Sequence, residues 1–222
     1  MIVWLASYPK SGNTWLRFFI ISLLMGKKVD LNLNHLKAII SYPDKSQFKG
    51  LLKDVLDIDE VSKNWLSSQS KINSDKTFKF FKTHNMFIKY KNYVFTDVEN
   101  TLGTIHIVRD PRNVITSIKN HYDLDDDKAI KWMTNKNNYI YDVERVKQFG
   151  YGDFQFISSW DTNYKSWKVQ NKIPIKFIKY EDLNEQTYSV VLDIIKFINK
   201  LTNNSNKINK NKLKNALSST SF

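Results

Sequence analysis

Ser7-Tyr8-Pro9-Lys10-Ser11-Gly12-Asn13-Thr14-Trp15-Leu16-Arg17 is the stretch on which the rest of the chain turns. The unbroken apolar run Ile2-Val3-Trp4-Leu5-Ala6 precedes it, as expected of a strand buried on both faces of a parallel sheet. After it, Thr14 to Met25 is strongly apolar and stops at Gly26, which predicts a helix and its terminator. A loop entering a helix N-terminus presents unpaired backbone N–H groups and the positive end of the helix dipole, a setting for an anion. Gly12 lets the backbone curl closely around that anion, while Ser11, Asn13 and Thr14 add side-chain donors. Lys10 adds a mobile positive charge. The nucleotide phosphate loop uses the same physics, but its spelling is Gly, four residues, then Gly-Lys-Ser/Thr. Here there is one Gly, and Lys10 precedes it.

Three more strands are expected. Thr77-Phe78-Lys79-Phe80-Phe81 runs into Lys82-Thr83-His84, and Gly103-Thr104-Ile105-His106-Ile107-Val108 runs into Arg109-Asp110-Pro111. Ile175-Lys176-Phe177-Ile178-Lys179 runs into Tyr180-Glu181-Asp182-Leu183. Pro111 suits the first turn of a helix over Arg112 to His121. Amphipathic stretches cover Asp126–Gln148 and Phe154–Val169, and another helix is expected near Thr187–Leu201. The region Leu33 to Ser70 reads as mixed and helical, broken at Tyr42-Pro43-Asp44. Strands separated by helices predict an α/β fold with a P-loop-type central parallel sheet flanked by helices on both faces, in one domain over residues 1–222. Such sheets bind ligands where loops leave the carboxyl ends of strands, and Tyr8–Thr14, Lys82–His84, Arg109–Ser117 and Tyr180–Asp182 all fall there.

The opening loop resembles the first motif, Tyr-Pro-Lys-Ser-Gly-Thr-Thr-Trp, of the sulfotransferases that use 3′-phosphoadenosine 5′-phosphosulfate (PAPS), with Asn13 the one departure. Their second motif holds the donor's 3′-phosphate with an Arg after a strand and a Ser eight residues later. Ile107-Val108-Arg109-Asp110-Pro111-Arg112-Asn113-Val114-Ile115-Thr116-Ser117 resembles it. Arg109 can fork onto phosphate oxygens, and Ser117, about two turns along, can donate a hydroxyl. Two anion sites suit a donor phosphorylated at both 3′ and 5′ positions. Arg112 is equally readable as added field or as a solvated helix charge.

The resemblance implies that Lys10, Ser11, Gly12, Asn13 and Thr14 hold the 5′-phosphate. It also implies that Trp15 stacks on the adenine, with Tyr180, Thr220 and Phe222 lining its pocket. Lys82-Thr83-His84 is similar to the family's Lys-x-His, which implies His84 as general base for a hydroxyl acceptor. Lys10 would then neutralise the bridging oxygen of the departing adenosine 3′,5′-bisphosphate (PAP), and Lys82 would help to hold the sulfonate oxygens. Ser159-Trp160 with Trp167 resembles the family's aromatic helix, so the likeness runs from Trp4 to Phe222. His35, His106 and His121 read as structural, His121 because a helix end favours a cation.

Composition sets the limits. With 222 residues there is enough chain for a substantial core, and 41% hydrophobic with 25% charged residues is ordinary for a soluble globular protein. The absence of Cys excludes disulfides, thiolate catalysis and Cys-based zinc sites, and no metal is expected. No apolar run nears the roughly 20 residues of a bilayer span, and no basic leader precedes one, so a cytoplasmic protein without a membrane span is expected. A net charge of +12 favours anionic partners, but many lysines lie in Asn/Lys-rich stretches such as Asn203 to Lys212. No nucleic-acid module is visible, so the expected partner is a hydroxyl-bearing small molecule or glycan, with no nucleic acid. The family's C-terminal Arg-Lys-Gly segment, which covers the donor, has no counterpart; Lys207 to Lys214 reads as a solvated helix. That favours a second reading, a weakly active or non-catalytic PAPS/PAP-binding remnant. A nucleotide kinase is opposed by the missing Gly-Lys-Ser/Thr.

Overall fold

The computed structural model describes residues 1–30, 32–53, 57–141, 154–204 and 209–218. Every residue of β1 (Ile2–Ser7) is buried, as its apolar run requires. The backbone then turns through left-handed Lys10 and Gly12, at φ 64° and 101°, into α1 (Asn13–Met25). Gly26, at φ 67°, ends that helix by donating its N–H to the Ser22 carbonyl at 2.9 Å. Short helical pieces follow: α2 (Leu33–Leu36), a 3-10 turn over Lys45–Phe48, α3 (Ile58–Lys63) and α4 (Trp65–Ile72). The expected break falls at the cis Tyr42–Pro43 peptide. Next come β2 (Lys79–Thr83), β3 (Lys89–Tyr90), β4 (Tyr93–Val94) and β5 (Thr101–Val108). Helices α5 (Pro111–Tyr122) and α6 (Asp126–Thr134) precede β6 (Tyr139–Ile140) and β7 (Gln155–Phe156). The remainder is α7 (Trp160–Val169), β8 (Ile175–Lys179), α8 (Tyr180–Glu185), α9 (Thr187–Leu201) and α10 (Lys210–Ser218).

The main sheet has the order β2-β1-β5-β8, and all its pairings are parallel. Alternation along β1 divides the core between its two faces. Val3 and Leu5 join Ile105, Ile107 and the apolar faces of α1, α9 and α10. Ile2, Trp4 and Ala6 join Trp65, Phe95 and Trp167 on the other side. Because the strands are parallel, their carboxyl ends share one edge, where the register sets Ala6 against Thr83, Ser7 against Ile107 and Val108 against Lys179. A third cluster carries Tyr8 against Val114 and Ile118 of α5 and Ala129 and Met133 of α6. The start of α5 is fixed by Asp110, whose side chain accepts from the Arg112 N–H at 2.9 Å, with Pro111 at the first position. Among the described residues, no helix is long and apolar enough to cross a membrane.

Four expectations shift. The second strand starts at Lys79, so Lys82 and Thr83 lie inside β2 and His84 directly follows it. Among the described residues, the stretch from Asp126 forms a helix that stops at Thr134, after which Tyr139–Ile140 pairs with Gln155–Phe156; residues 142–153, with the rest of the expected Asp126–Gln148 stretch, lie outside the described set. Phe154–Val169 is likewise part strand, and α7 begins only after Ser158 turns left-handed at φ 58°. The basic C-terminal stretch is not a solvated helix. Leu213 and Ala216, three residues apart, bury α10 in the core that includes α1, and Asn215 Nδ2 donates to the Gly26 carbonyl at 3.0 Å.

Candidate active site

The loop from Ser7 to Thr14 leaves β1 and enters α1 through two left-handed residues, Lys10 and Gly12, the kind of turn that forms an anion-binding concavity. A left-handed lysine is unfavourable by about 1 kcal/mol, so its neighbours must hold it there. Arg109 does so. It leaves the end of β5 and donates from Nη1 to the Lys10 carbonyl at 3.0 Å. Its guanidinium carbon lies 4.4 Å from the centre of the Tyr180 ring, at the end of β8. The same ring packs on Gly12 so closely that a Cβ there would fall 2.4 Å from Tyr180 Cδ2. Ends of three strands are thus locked together by residues that the sequence singled out separately.

This corner is electropositive. Burial and the Arg109 charge pull the Lys10 ammonium below the usual lysine range. His121, expected to be merely structural, lies in the same field: burial and Lys10 together lower its pKa. Only the fold brings His121 to the loop, so sequence spacing gave no signal of it. Arg112 does not contribute freely, because it is turned onto Asp110 with Nη2 and Oδ2 2.5 Å apart. Two buried polar atoms, Ser11 Oγ and Arg109 Nε, have no partner among the described residues. Buried donors left without partners are costly, and an anionic ligand would satisfy them. With the loop's N–H groups and the Lys10 and Arg109 charges, they fit a donor bearing several anionic groups. Ser117 is half-buried on α5, beside the buried Ile118, and Thr14 is exposed in the first turn of α1.

One loop side chain points away from where it was expected. Asn13 offers no side-chain donor outward: both amide hydrogens turn inward, to the Leu5 carbonyl at 2.8 Å and Ser7 Oγ at 3.2 Å. Trp15 is buried and stacks on Phe19, with ring centres 5.6 Å apart. Thr220 and Phe222 lie outside the described residues.

His84 is buried just past the last β1–β2 pair, with 9% exposure. Its Nδ1 lies 2.7 Å from the Ser7 carbonyl oxygen. A carbonyl oxygen can only accept, so Nδ1 carries the proton and Nε2 keeps the lone pair. The His84 backbone is held at both ends: its N–H donates to Gln155 Oε1 at 2.5 Å, and its carbonyl accepts from Asn163 Nδ2 at 3.0 Å. Burial, then the nearby Lys82 charge, holds the imidazole well below its ordinary pKa, so it is neutral at neutral pH. Trp167 supports the turn by donating to the Asn85 carbonyl at 3.0 Å. Ser7, Gln155 and Asn163 carry no motif signal and were legible only in three dimensions.

The family model described as the sulfotransferase domain matches residues 2–222. No curated protein matches the chain in sequence. Among solved structures, the chain is similar to mouse sulfotransferase SULT7A1 complexed with PAP, at TM-score 0.59 and 17% identity, covering 99% of this chain and 64% of that one. It is also similar to retinol dehydratase in complex with androsterone and inactive cofactor PAP, at TM-score 0.56 and 15% identity, again covering 99% and 64%. A retinol dehydratase complex with retinol and PAP gives TM-score 0.53 and 16% identity, covering 98% and 63%. The chain therefore spans less than two thirds of the length of these structures, and the likeness is one of fold.

Proposed function

Because the chain belongs to the sulfotransferase domain family, we propose that it moves a sulfuryl group from PAPS to an acceptor hydroxyl. One observation carries this reading. Two carbonyls of a single loop, those of Ser7 and Lys10, hold His84 Nδ1 at 2.7 Å and Arg109 Nη1 at 3.0 Å. A proton acceptor and an anion-binding cation are therefore fixed to one rigid turn. When bound, the donor supplies the activated sulfuryl group and a bisphosphate leaving group. The backbone of Ser11 to Thr14, with the Ser11 hydroxyl, binds its 5′-phosphate end, and Lys10 holds a positive charge against it. Arg109 and Ser117 bind the 3′-phosphate, Tyr180 packs beside the nucleotide, and Lys82 holds the sulfonate oxygens. Nε2 of His84 takes the proton of the acceptor hydroxyl while Nδ1–H remains on the Ser7 carbonyl.

The acceptor class follows from the same place. Phe87 packs on Trp167 beside the His84 turn, with ring centres 5.4 Å apart, so aromatic side chains neighbour the base. A small, largely apolar alcohol is the first class to test, and androsterone and retinol, bound in the relatives, are natural probes. Calorimetric titration with PAP and with ATP, followed by turnover of labelled PAPS over an alcohol panel, tests the reading. PAP should bind much more tightly than ATP, and His84→Ala and Lys10→Ala should each lower turnover by about two orders of magnitude or more. Tight ATP binding with no preference for PAP would overturn it, and PAP binding with no turnover of any acceptor would leave only a donor-binding protein.

A further inference from the structure

Asn13 is where the loop departs from its relatives' spelling, and its side chain has an unusual destination. It is 5% exposed and donates through Nδ2 to the Leu5 carbonyl at 2.8 Å and to Ser7 Oγ at 3.2 Å. Ser7, 1% exposed, is also the residue that receives His84: its carbonyl oxygen lies 2.7 Å and its Oγ 3.2 Å from Nδ1. The ladder between β1 and β2 ends at Ala6 and Thr83, so His84 lies past its last pair, while Ser7 is still paired with Ile107 of β5 on its other side. The imidazole takes over where the ladder stops.

We infer that Asn13 is a positioning residue for His84, acting through Ser7 to fix the Nδ1–H tautomer and leave Nε2 as the proton-accepting nitrogen. The causal chain is short. The Asn13 amide bridges the Leu5 carbonyl and Ser7 Oγ on one side of the turn, which fixes the rotation of the Ser7 side chain and sets its Oγ, beside the carbonyl, against His84 Nδ1. The Ser7 carbonyl can then select only a ring that presents N–H to it. Because Asn13 opens α1, the element that ends the phosphate loop, the anion-binding turn and the base share one anchor. A bolt that merely holds the helix start would serve without touching His84 at all, and that is the contrast to be tested. The assignment of a base role rests on the sulfotransferase reading, whereas the tautomer assignment does not.

The test reads the ring nitrogens of His84 by long-range 15N–1H NMR in the full chain, in wild type, Asn13→Ala, Asn13→Thr and Ser7→Ala, alongside turnover of PAPS. Wild type should have Nδ1 protonated and Nε2 unprotonated at neutral pH. Asn13→Ala should give a mixture of tautomers and a shifted His84 titration, with kcat lowered about tenfold and KM for the alcohol within about twofold. Asn13→Thr, which restores a hydroxyl donor, should recover most of the wild-type signature; if the alanine variant fails to fold, the near-isosteric Asn13→Leu, which likewise lacks a donor, takes its place. A wild-type ring protonated on Nε2 would overturn the inference. So would an unchanged tautomer in both Asn13→Ala (or Asn13→Leu) and Ser7→Ala, even with turnover reduced. If the tautomer responds as stated but His84→Ala retains full turnover, the positioning stands and the base role is what fails.

Discussion

Arg109 donates from Nη1 to the carbonyl oxygen of Lys10 across 3.0 Å, closing the phosphate loop onto the end of β5. The contact joins two functions in one side chain. It supplies a fixed positive charge, and it holds a non-glycine residue in the left-handed region that it would otherwise leave. Arg109→Lys keeps the charge but loses the planar fork and the packing on Tyr180. PAP affinity should fall about tenfold to a hundredfold, as expected for losing one or two charge-assisted hydrogen bonds. Calorimetric titration measures it, and a lysine variant that binds PAP as well as wild type would show that the clamp is irrelevant.

Gly12 is required by two independent facts, its φ of 101° and the Tyr180 ring 2.4 Å from where a Cβ would sit. Gly12→Ala should therefore incur both left-handed strain and overpacking, each about 1–3 kcal/mol. The damage should fall on PAP binding, since the ring and loop can separate without unfolding the sheet. Pairing it with Tyr180→Ala removes the clash and leaves the strain, so binding in the double variant should recover only in part relative to Gly12→Ala. Full additivity of the two losses in a double-mutant cycle would mean that the ring and Gly12 do not interact.

The strand ends were legible because parallel strands buried on both faces have an apolar signature, and the loops between them carry the polar residues. β1, α1, β5, α9 and the Gly26 stop follow from that pattern, as does the parallel sheet itself. What escaped was decided by tertiary packing. Leu213 and Ala216 are two small apolar marks in a Lys/Asn-rich stretch, too few to announce a buried face, yet the groove beside α1 accepts them. The short β6–β7 pair lies where amphipathic periodicity favoured helix, because Ser158 and its neighbours fold back onto Asn138, whose carbonyl accepts from Ile157 and Ser158 N–H groups at 3.1 and 2.8 Å. At the site, Lys10, Gly12, Arg109, Tyr180 and His84 stand out by motif. The inward turn of Asn13 and the approach of His121 to Lys10 depend on side-chain direction, which spacing does not encode.

The pH dependence of turnover should be displaced from that of an ordinary histidine–lysine pair. Burial and Lys82 lower the His84 pKa, and burial and Arg109 lower that of Lys10. As pH falls, His84 gains its proton and stops acting as a base, so the acid limb of kcat/KM should lie below 6.5. As pH rises, Lys10 loses its charge earlier than a free lysine, so the basic limb should lie below 10.5. Lys82→Met removes a like charge beside His84 and should move the acid limb to higher pH, whatever it does to the plateau. A pH–rate profile of both proteins decides this: an acid limb that stays put in Lys82→Met would detach Lys82 from His84.

His106 makes the sharpest stability prediction. It lies in the middle of β5, 1% exposed, against Trp167 and Phe177 at ring-centre distances of 6.1 and 5.3 Å. Burial lowers its pKa from 6.5 to about 3 against the opposing effect of the Asn163 side chain, and among the described residues neither ring nitrogen has a partner in hydrogen-bonding geometry. The folded state thus binds the proton less readily than the unfolded chain. Stability from this group is complete above about pH 6.5 and drains away as pH falls toward 3, by up to about 1.4 kcal/mol per pH unit. His106→Phe should be more stable than wild type by about 1–3 kcal/mol at pH 7, because two orphaned polar atoms are removed from an aromatic pocket. Its advantage should then widen on acidification, while the acid sensitivity of His84, whose pKa burial also holds down, is common to both proteins. Urea unfolding at pH 7 and at about pH 5 measures both effects, and His106→Leu controls for the slightly larger phenyl ring. A gap between variant and wild type that stays constant between those pH values would mean that the imidazole reaches water or a partner when charged, and that the pocket around β5 is less closed than its packing implies.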